Sequence, residues 1–170
     1  AKKKIALVVG TTGLSPRQHE ELQHFSQAIP CLVSPNMSVG VNIMFNLVAQ
    51  VARMVENEFD IEIIETHHRF KKDAPSGTAI TLAEQILEQL SQKKKWVNQV
   101  SNDVAELPII SKREDPAPGT HSIKYSSPID DIEIIHTAHN RKGFALGAVL
   151  AAEFIVGKKG IFSMKEVLGI

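Results

Sequence analysis

The sequence predicts an α/β protein: a mixed-sheet domain with helices on one face, preceded by a β-α-β unit of the doubly wound kind. Three observations carry that expectation. Residues 5–9 and 29–33 are short apolar runs separated by a helix-length segment, the pattern of a parallel crossover. Residues 60–66 and 131–137 are rich in isoleucine and match each other in six of seven positions, which reads as two similar central strands. Between them lies an amphipathic segment opened by Ser76-Gly77-Thr78.

Each element has a local reason. The run 5–9 lacks polar alternation, as expected of a strand buried on both faces, and Gly10-Thr11-Thr12-Gly13 follows it as a loop. Ser15 as N-cap, Pro16 at the first helical position and Gln18 closing a capping box open a helix. The strand at 29–33 carries Cys31, expected as a buried structural thiol. Ser34-Pro35-Asn36-Met37 is a turn, Ser38 stands where it would cap the next helix, and Val41, Phe45, Val48, Ala52 and Val55 recur at helical spacing. The central helix is predicted over 77–90, with Ile80, Ala83, Leu87 and Leu90 as its apolar stripe. From 96 to 115 the signals weaken to one short strand around 107–111. Pro116, Pro118 and Gly119 then mark a loop, and 120–125 reads as a strand with His121, Ile123 and Tyr125 on one face. A helix over 144–156 is dense in alanine and glycine, which permits close backbone approach, and Gly157 suits its C-terminus. Ser163 with Glu166 forms a second capping box. Two strands do not make a sheet buried on both faces, so the expectation is a chain that begins inside a domain whose earlier strands are missing.

Bulk properties exclude several classes. The 170 residues suffice for one full domain, or one domain and part of another. Nineteen basic residues balance nineteen acidic ones, so no global field favours nucleic acid or a membrane surface. A single cysteine excludes an internal disulfide framework, and no signal peptide or membrane-spanning apolar run is evident. The expectation is a soluble cytoplasmic protein.

The chemistry concentrates in residues 62–79. His67 and His68 are neighbours at a strand end and should face opposite ways, one as a proton donor and the other as a hydrogen-bond donor. A half-buried histidine with satisfied partners is the plainer alternative, and zinc is disfavoured because no spacing resembles a zinc ligand set. Lys71 follows, as a cation able to face a carboxylate or as an ordinary solvated lysine. Ser76, Gly77 and Thr78 open a helix whose first N–H groups have no internal partners, so an anion is welcome there. A simply capped helix is the commoner meaning of such a turn. A proton donor, a cation and free amides together suit a small, doubly anionic substrate that must be protonated. The loop Gly10-Thr11-Thr12-Gly13 could cradle a dinucleotide, but the phosphate fingerprint G-x-G-x-x-G is absent from the 170 residues.

Together these residues resemble the dihydrodipicolinate (4-hydroxy-tetrahydrodipicolinate) reductase family of the diaminopimelate and lysine pathway. The signature E-[IV]-x-E-x-H-x-x-x-K-x-D-x-P-S-G-T-A is met at every fixed position from Glu62 to Ala79, and the resemblance extends along the whole chain. It implies a reductase using NADH or NADPH on a small dicarboxylate, assembled as a homotetramer. By that resemblance His67 is the general acid, with Lys71 beside it, and His68, Lys71, Gly77, Thr78 and, less directly, Arg141 meet the substrate. Gly10, Thr11, Thr12, Ser34, Pro35, Asn36 and Met37 would line the cofactor, and no residue would hold a metal. The implied division is residues 1–37 as the remnant of a dinucleotide-binding domain, 38–141 as the substrate and oligomerisation domain, and 142–170 as helices returning to the first. The chain departs from the pattern where the family's leading glycine fingerprint is missing, where proline-rich residues 114–119 replace a glycine-rich approach, and at Thr120, where glutamate is frequent. This chain is therefore expected to be inactive, with little or no reductase turnover. Two rivals remain: a non-catalytic dicarboxylate-binding or oligomerisation module, and a metal-dependent hydrolase using His67 and His68.

Overall fold

Residues 5–55 and 58–170 are described in a computed structural model of the chain. In chain order the elements are β1 (Leu7–Val9), α1 (Pro16–Ser26), β2 (Cys31–Val33), α2 (Val39–Val55), β3 (Asp60–His67), α3 (Gly77–Leu87), β4 (Lys95–Val97), β5 (Glu106–Arg113), β6 (Thr120–Ser126), β7 (Asp131–Thr137), α4 (Lys142–Phe154), β8 (Ile161–Phe162) and α5 (Met164–Leu168). They fall into two compact units, residues 1–43 with 141–170, and residues 44–140, each built on its own sheet.

The first unit holds a three-stranded parallel sheet in the order β1-β2-β8. The predicted crossover is present: Ser15 Oγ accepts from the Gln18 amide, and Gln18 Oε1 accepts from the Ser15 amide at 2.8 Å. The expected burial holds for β2 and fails for β1. Cys31 and Leu32 are fully enclosed at the centre of the sheet, whereas Leu7 is exposed because β1 is an edge strand. The thiol behaves as a small apolar group, and burial raises its pKa. Strand β8 has only two residues, Ile161 and Phe162, and had no sequence signal of its own.

Helix α4 explains its own composition. A side chain at Gly147 would place Cβ 1.7 Å from the Met37 carbonyl oxygen, so the helix backbone lies directly on the turn after β2. Ala151 and Ile155 then pack with Leu32, Met37 and Met164 as the core of this unit. Gly157 adopts a positive φ of 73° just past the helix end, and the Ser163–Glu166 box opens α5 as expected.

The second unit holds a five-stranded mixed sheet in the order β4-β5-β3-β6-β7, with β3 parallel to β5 and antiparallel to β6. Alternation along β3 sends Ile61, Ile63, Glu65 and His67 to the buried face. Leu107 and Ile109 of β5, and His121, Ile123 and Tyr125 of β6, join the buried set. Above them lie Ala79, Leu82, Ala83 and Ile86 of α3, with Val48, Ala52 and Val55 of α2. The Tyr125 hydroxyl reaches this layer by donating to the Val48 carbonyl at 3.0 Å. Helix α3 stops at Leu87, shorter than predicted, although Leu90 remains buried.

Two expectations about the sheet are corrected. Residues 131–137 form a strand, but β7 is the outer strand beside β6 and is largely exposed, so the two similar segments are not both central. Their shared sequence reflects strand propensity, while position in the sheet is set by partners on either side. The weakly patterned stretch before β5 contains a strand that was not foreseen, β4, which pairs with β5 through Trp96 opposite Leu107.

Candidate functional site

The buried face of the second unit is apolar except at one end of the strands, where Glu65, His67 and His121 lie side by side. Their placement follows from register. Glu65 and His67 are two residues apart on β3 and share a face, and Glu65 pairs with His121 across the antiparallel ladder to β6. On the other side His67 pairs with Arg113 at the end of β5.

Glu65 is fully buried, and each of its oxygens has its own set of neighbours. Oε1 accepts from Nη1 and Nη2 of Arg113, both at 3.1 Å, and from the Ser76 amide at 3.3 Å. Oε2 lies 2.7 Å from Nδ1 of His67, and neither of these two buried atoms makes an aligned hydrogen bond among the described residues. Burial alone would raise the Glu65 pKa. The proximity of polar groups on His67, Ser111 and Ser76 outweighs that and holds the carboxyl well below the usual carboxylate range. A buried carboxylate without such partners would cost several kcal/mol.

His121 meets the His67 ring edge-on, with centroids 5.2 Å apart, and its Nε2 lies 3.2 Å from Ser76 Oγ. Burial, and next the proximity of His67, push its pKa down to about 3, so it is neutral at ordinary pH. Gly119, at φ 154°, approaches the other side of His67: a Cβ there would lie 3.1 Å from Nε2. The absence of a side chain at this residue is what keeps the Nε2 edge of the ring uncrowded.

Arg113 ties this group to the loop that follows β3. Besides Glu65 it donates to the Asp73 carbonyl at 2.7 Å and to the Lys71 carbonyl at 3.4 Å. Lys71 Nζ sits 2.8 Å from both carboxylate oxygens of Asp73. The loop ends at Ser76, whose Oγ accepts from the Ala79 amide and caps α3. One guanidinium therefore holds the carboxylate behind His67 and the backbone of the segment bearing Lys71.

Of the residues singled out in the sequence, His67, His68, Lys71, Gly77 and Thr78 all lie in this second unit. His68 is beyond the end of β3, with its amide donating to the Ala117 carbonyl and its ring toward Phe70, so it stands apart from the buried group. Gly77 and Thr78 form the first turn of α3. Arg141, the N-cap residue of α4, belongs to the first unit. So do Gly10, Thr11, Thr12, Ser34, Pro35, Asn36 and Met37. There the loops after β1 and β2 meet: a Cβ on Gly10 would be 3.7 Å from the Met37 methyl carbon. The Ser34–Met37 turn is rigidly made. Ser34 Oγ donates to the Asn36 carbonyl at 2.7 Å, Asn36 Oδ1 accepts from the Ser38 amide at 2.9 Å, and Asn42 Nδ2 donates to the Asn36 carbonyl at 2.8 Å.

The residues missed as site members are Glu65, Arg113 and His121. Strand alternation places Glu65 on the His67 face, which was legible in the sequence. The role of Arg113 was not legible, because parallel pairing of β5 with β3 is a tertiary fact. Glu65, His67 and His121 offer ligand atoms within 4.8 Å of one another, as a metal site would. The 2.7 Å contact is too close for two ligands on one ion at about 2.0–2.2 Å from each, and a guanidinium already neutralises the carboxylate. The geometry is that of a carboxylate in close contact with an imidazole nitrogen. The histidine that accompanies His67 is also His121 rather than His68, which removes the pairing that a hydrolase reading required.

An imidazole backed by a buried carboxylate, next to a lysine and the start of a helix, defines a class of protein that handles protons on an anionic substrate. Comparison with known proteins narrows the class. The family model for the dihydrodipicolinate reductase C-terminus matches residues 40–168, and the model for the N-terminus of the same family matches residues 1–37. A 4-hydroxy-tetrahydrodipicolinate reductase of Christiangramia forsetii is 46% identical over 98% of this chain and 71% of its own length. One from Aquifex aeolicus is 42% identical over 99% of this chain and 65% of its own. A solved structure, dipicolinate-bound dihydrodipicolinate reductase from Paenisporosarcina sp. TG-14, superposes with a TM-score of 0.71 at 26% identity, over 95% of this chain and 64% of that one. The chain thus spans roughly two thirds of the length of the relatives it matches. It belongs to the dihydrodipicolinate reductase family, nicotinamide-dependent oxidoreductases of lysine and diaminopimelate biosynthesis.

Proposed function

We propose that 4-hydroxy-tetrahydrodipicolinate, after losing its 4-hydroxyl as water to give dihydrodipicolinate, is reduced by this protein to tetrahydrodipicolinate with NADH or NADPH, and that His67 supplies the proton. The observation that carries this reading is the 2.7 Å contact between His67 and a buried, ionised Glu65, beside the loop of Lys71 and the start of α3. The solved relative described as dipicolinate-bound supports a dicarboxylate of this shape as the ligand.

In this reading Lys71 exchanges Asp73 for a substrate carboxylate. The Gly77 and Thr78 amides, at the positive end of α3, receive a carboxylate too. His68 and Arg141 contact the substrate. The loops bearing Gly10, Thr11 and Thr12, and Ser34 to Met37, follow parallel strands at their carboxyl ends, where nucleotides bind in open α/β sheets. Their packing against each other fits them to the nicotinamide half of the cofactor, which when bound supplies the hydride. His67 then donates its proton to the neighbouring carbon and leaves with Nδ1 still bonded to Glu65. We place the enzyme in the cytoplasm, consistent with its single buried thiol, and no described helix is long and apolar enough to cross a membrane.

Calorimetric titration with pyridine-2,6-dicarboxylate, alongside a reduced-nicotinamide assay, tests the proposal. Binding is expected, and Lys71→Ala should weaken it about tenfold or more while Lys72→Ala leaves it nearly unchanged. Absence of binding, or a larger effect at Lys72, would overturn the assignment of the anion site. Binding without any reductase turnover would favour the dicarboxylate-binding module.

A further inference from the structure

The carboxylate behind His67 is asymmetric, and the asymmetry has a chemical consequence. The three hydrogen bonds with resolved geometry at Glu65, two from Arg113 and one from the Ser76 amide, all converge on Oε1. Oε2, which accepts no aligned hydrogen bond among the described residues, lies 2.7 Å from Nδ1 of His67. A carboxylate only accepts, so Nδ1 must carry hydrogen, and the neutral ring must then be unprotonated at Nε2. Nε2 is also the edge beside Gly119, where no side chain intrudes.

We propose that Glu65 is a positioning residue which, oriented by Arg113 and the Ser76 amide, holds His67 in the Nδ1–H tautomer and makes Nε2 the atom that carries the exchangeable proton to substrate. This rests on His67 being the proton donor of the proposed reaction. Arg113 takes part twice, since it fixes the rotation of the Glu65 carboxylate and grips the carbonyls of Lys71 and Asp73. The pair thereby sets the proton donor and the adjoining cation segment in one frame.

The substitution Glu65→Gln gives a sharp test because an amide has an orientation. Its oxygen must remain toward Arg113 and Ser76, which offer three donors. Its NH₂ must then occupy the former Oε2 position and point at His67 Nδ1. A donor there forces Nδ1 to accept, and the tautomer inverts to Nε2–H. It also opposes the doubly protonated ring, so the proton that His67 would donate is lost although the ring stays in place. The substrate carboxylate contacts are untouched.

Nitrogen-15 histidine spectra of the protein, with the His67 resonances assigned from the His67→Gln variant, read the tautomer directly. In the unsubstituted protein the neutral His67 ring should show a protonated Nδ1 and a bare Nε2. In Glu65→Gln the two nitrogens should exchange character. The kcat should drop on the order of 10²-fold or more, with KM within about threefold. Glu65→Asp, which keeps the acceptor, should keep the tautomer. An unsubstituted protein with hydrogen on Nε2, or a Glu65→Gln variant with unchanged tautomer and rate, would overturn the proposal. If Glu65→Gln does not fold, the spectrum of the unsubstituted protein decides alone. If His67→Gln retains full activity the proton-donor reading fails, and the spectra still report whether Glu65 sets the tautomer.

Discussion

In the proposed reaction His67 is the proton source, and its substitution separates chemistry from binding. In His67→Gln the ring is replaced by a group that hydrogen-bonds but does not transfer a proton at neutral pH. The expected outcome is a loss of kcat of about 10²–10⁴-fold, with dicarboxylate affinity little changed. Steady-state kinetics beside calorimetry check it, and a defect confined to KM would mean that His67 only binds. His121 governs a different property. Its pKa is about 3 in the folded chain, because it is buried, against an ordinary 6.5 when unfolded. Between those values the unfolded chain holds the extra proton, so stability falls as pH drops from about 6.5 toward about 3, by up to about 1.4 kcal/mol per pH unit. Burial also lowers the pKa of His136, which acts in the same direction. The depressed Glu65 adds its loss only once unfolded carboxylates protonate, below about 4.5. Melting temperatures measured between pH 6.5 and 5 should decline steadily, and His121→Gln should flatten that segment. An unflattened slope would assign the acid sensitivity to other groups.

Among the elements, α4 gives the clearest contrast between two glycines. At Gly147 a methyl group would collide with backbone at Met37, and backbone does not yield as a flexible side chain does. Gly147→Ala should therefore destabilise the first unit by about 1–3 kcal/mol, the usual range for overpacking. At Gly143 the nearest atom to a new Cβ would be Ser38 Oγ at 3.7 Å, an ordinary contact. Gly143→Ala should be neutral, or stabilising by up to about 1 kcal/mol through helix propensity. Thermal melts of the two variants check both signs at once, and equal effects would show that α4 does not press on the turn. The alanine and glycine content of this helix was visible in the sequence. Which glycine bears the contact was not, because that depends on the rotation of the helix about its axis.

Within the second unit, the five-stranded sheet carries α2 and α3 on one face, and no described helix of that unit lies on the other. That face carries Ile64, Ile110 and Ile135 in register across β3, β5, β6 and β7, together with Glu62, Lys124 and Glu133. It is less apolar than the isoleucine-rich strands suggested, since four of the six isoleucines in β3 and β7 lie on the helix-covered face. We expect this face to join copies of the chain into a symmetric tetramer, as closed assemblies usually form. Light scattering after size-exclusion chromatography should give four chains. Ile64→Asp with Ile135→Asp should lower the number. A monomer before substitution would leave the sheet face without a role in assembly.

Local rules determined much of this protein in advance. The capping boxes at Ser15 and Ser163, the Ser76 cap, the stripe of α2 and the alternation of β6 all depend on neighbours within a few residues, so each was legible. So were His67, Lys71 and the helix start, because they lie within one short signature. Tertiary structure decided the rest. The burial of β2 but not β1, the pairing of β8, and the edge position of β7 follow from which strand lies beside which, and hydrogen-bond partners distant in sequence set that. The carboxylate group at Glu65 is the sharpest case. Its same-face relation to His67 is written in the two-residue period of a strand. The pressing of Arg113, 48 residues away, against one of its oxygens exists only because β5 lies parallel to β3 in a particular register. A pairing shifted by one residue would have sent that guanidinium to the other face of the sheet.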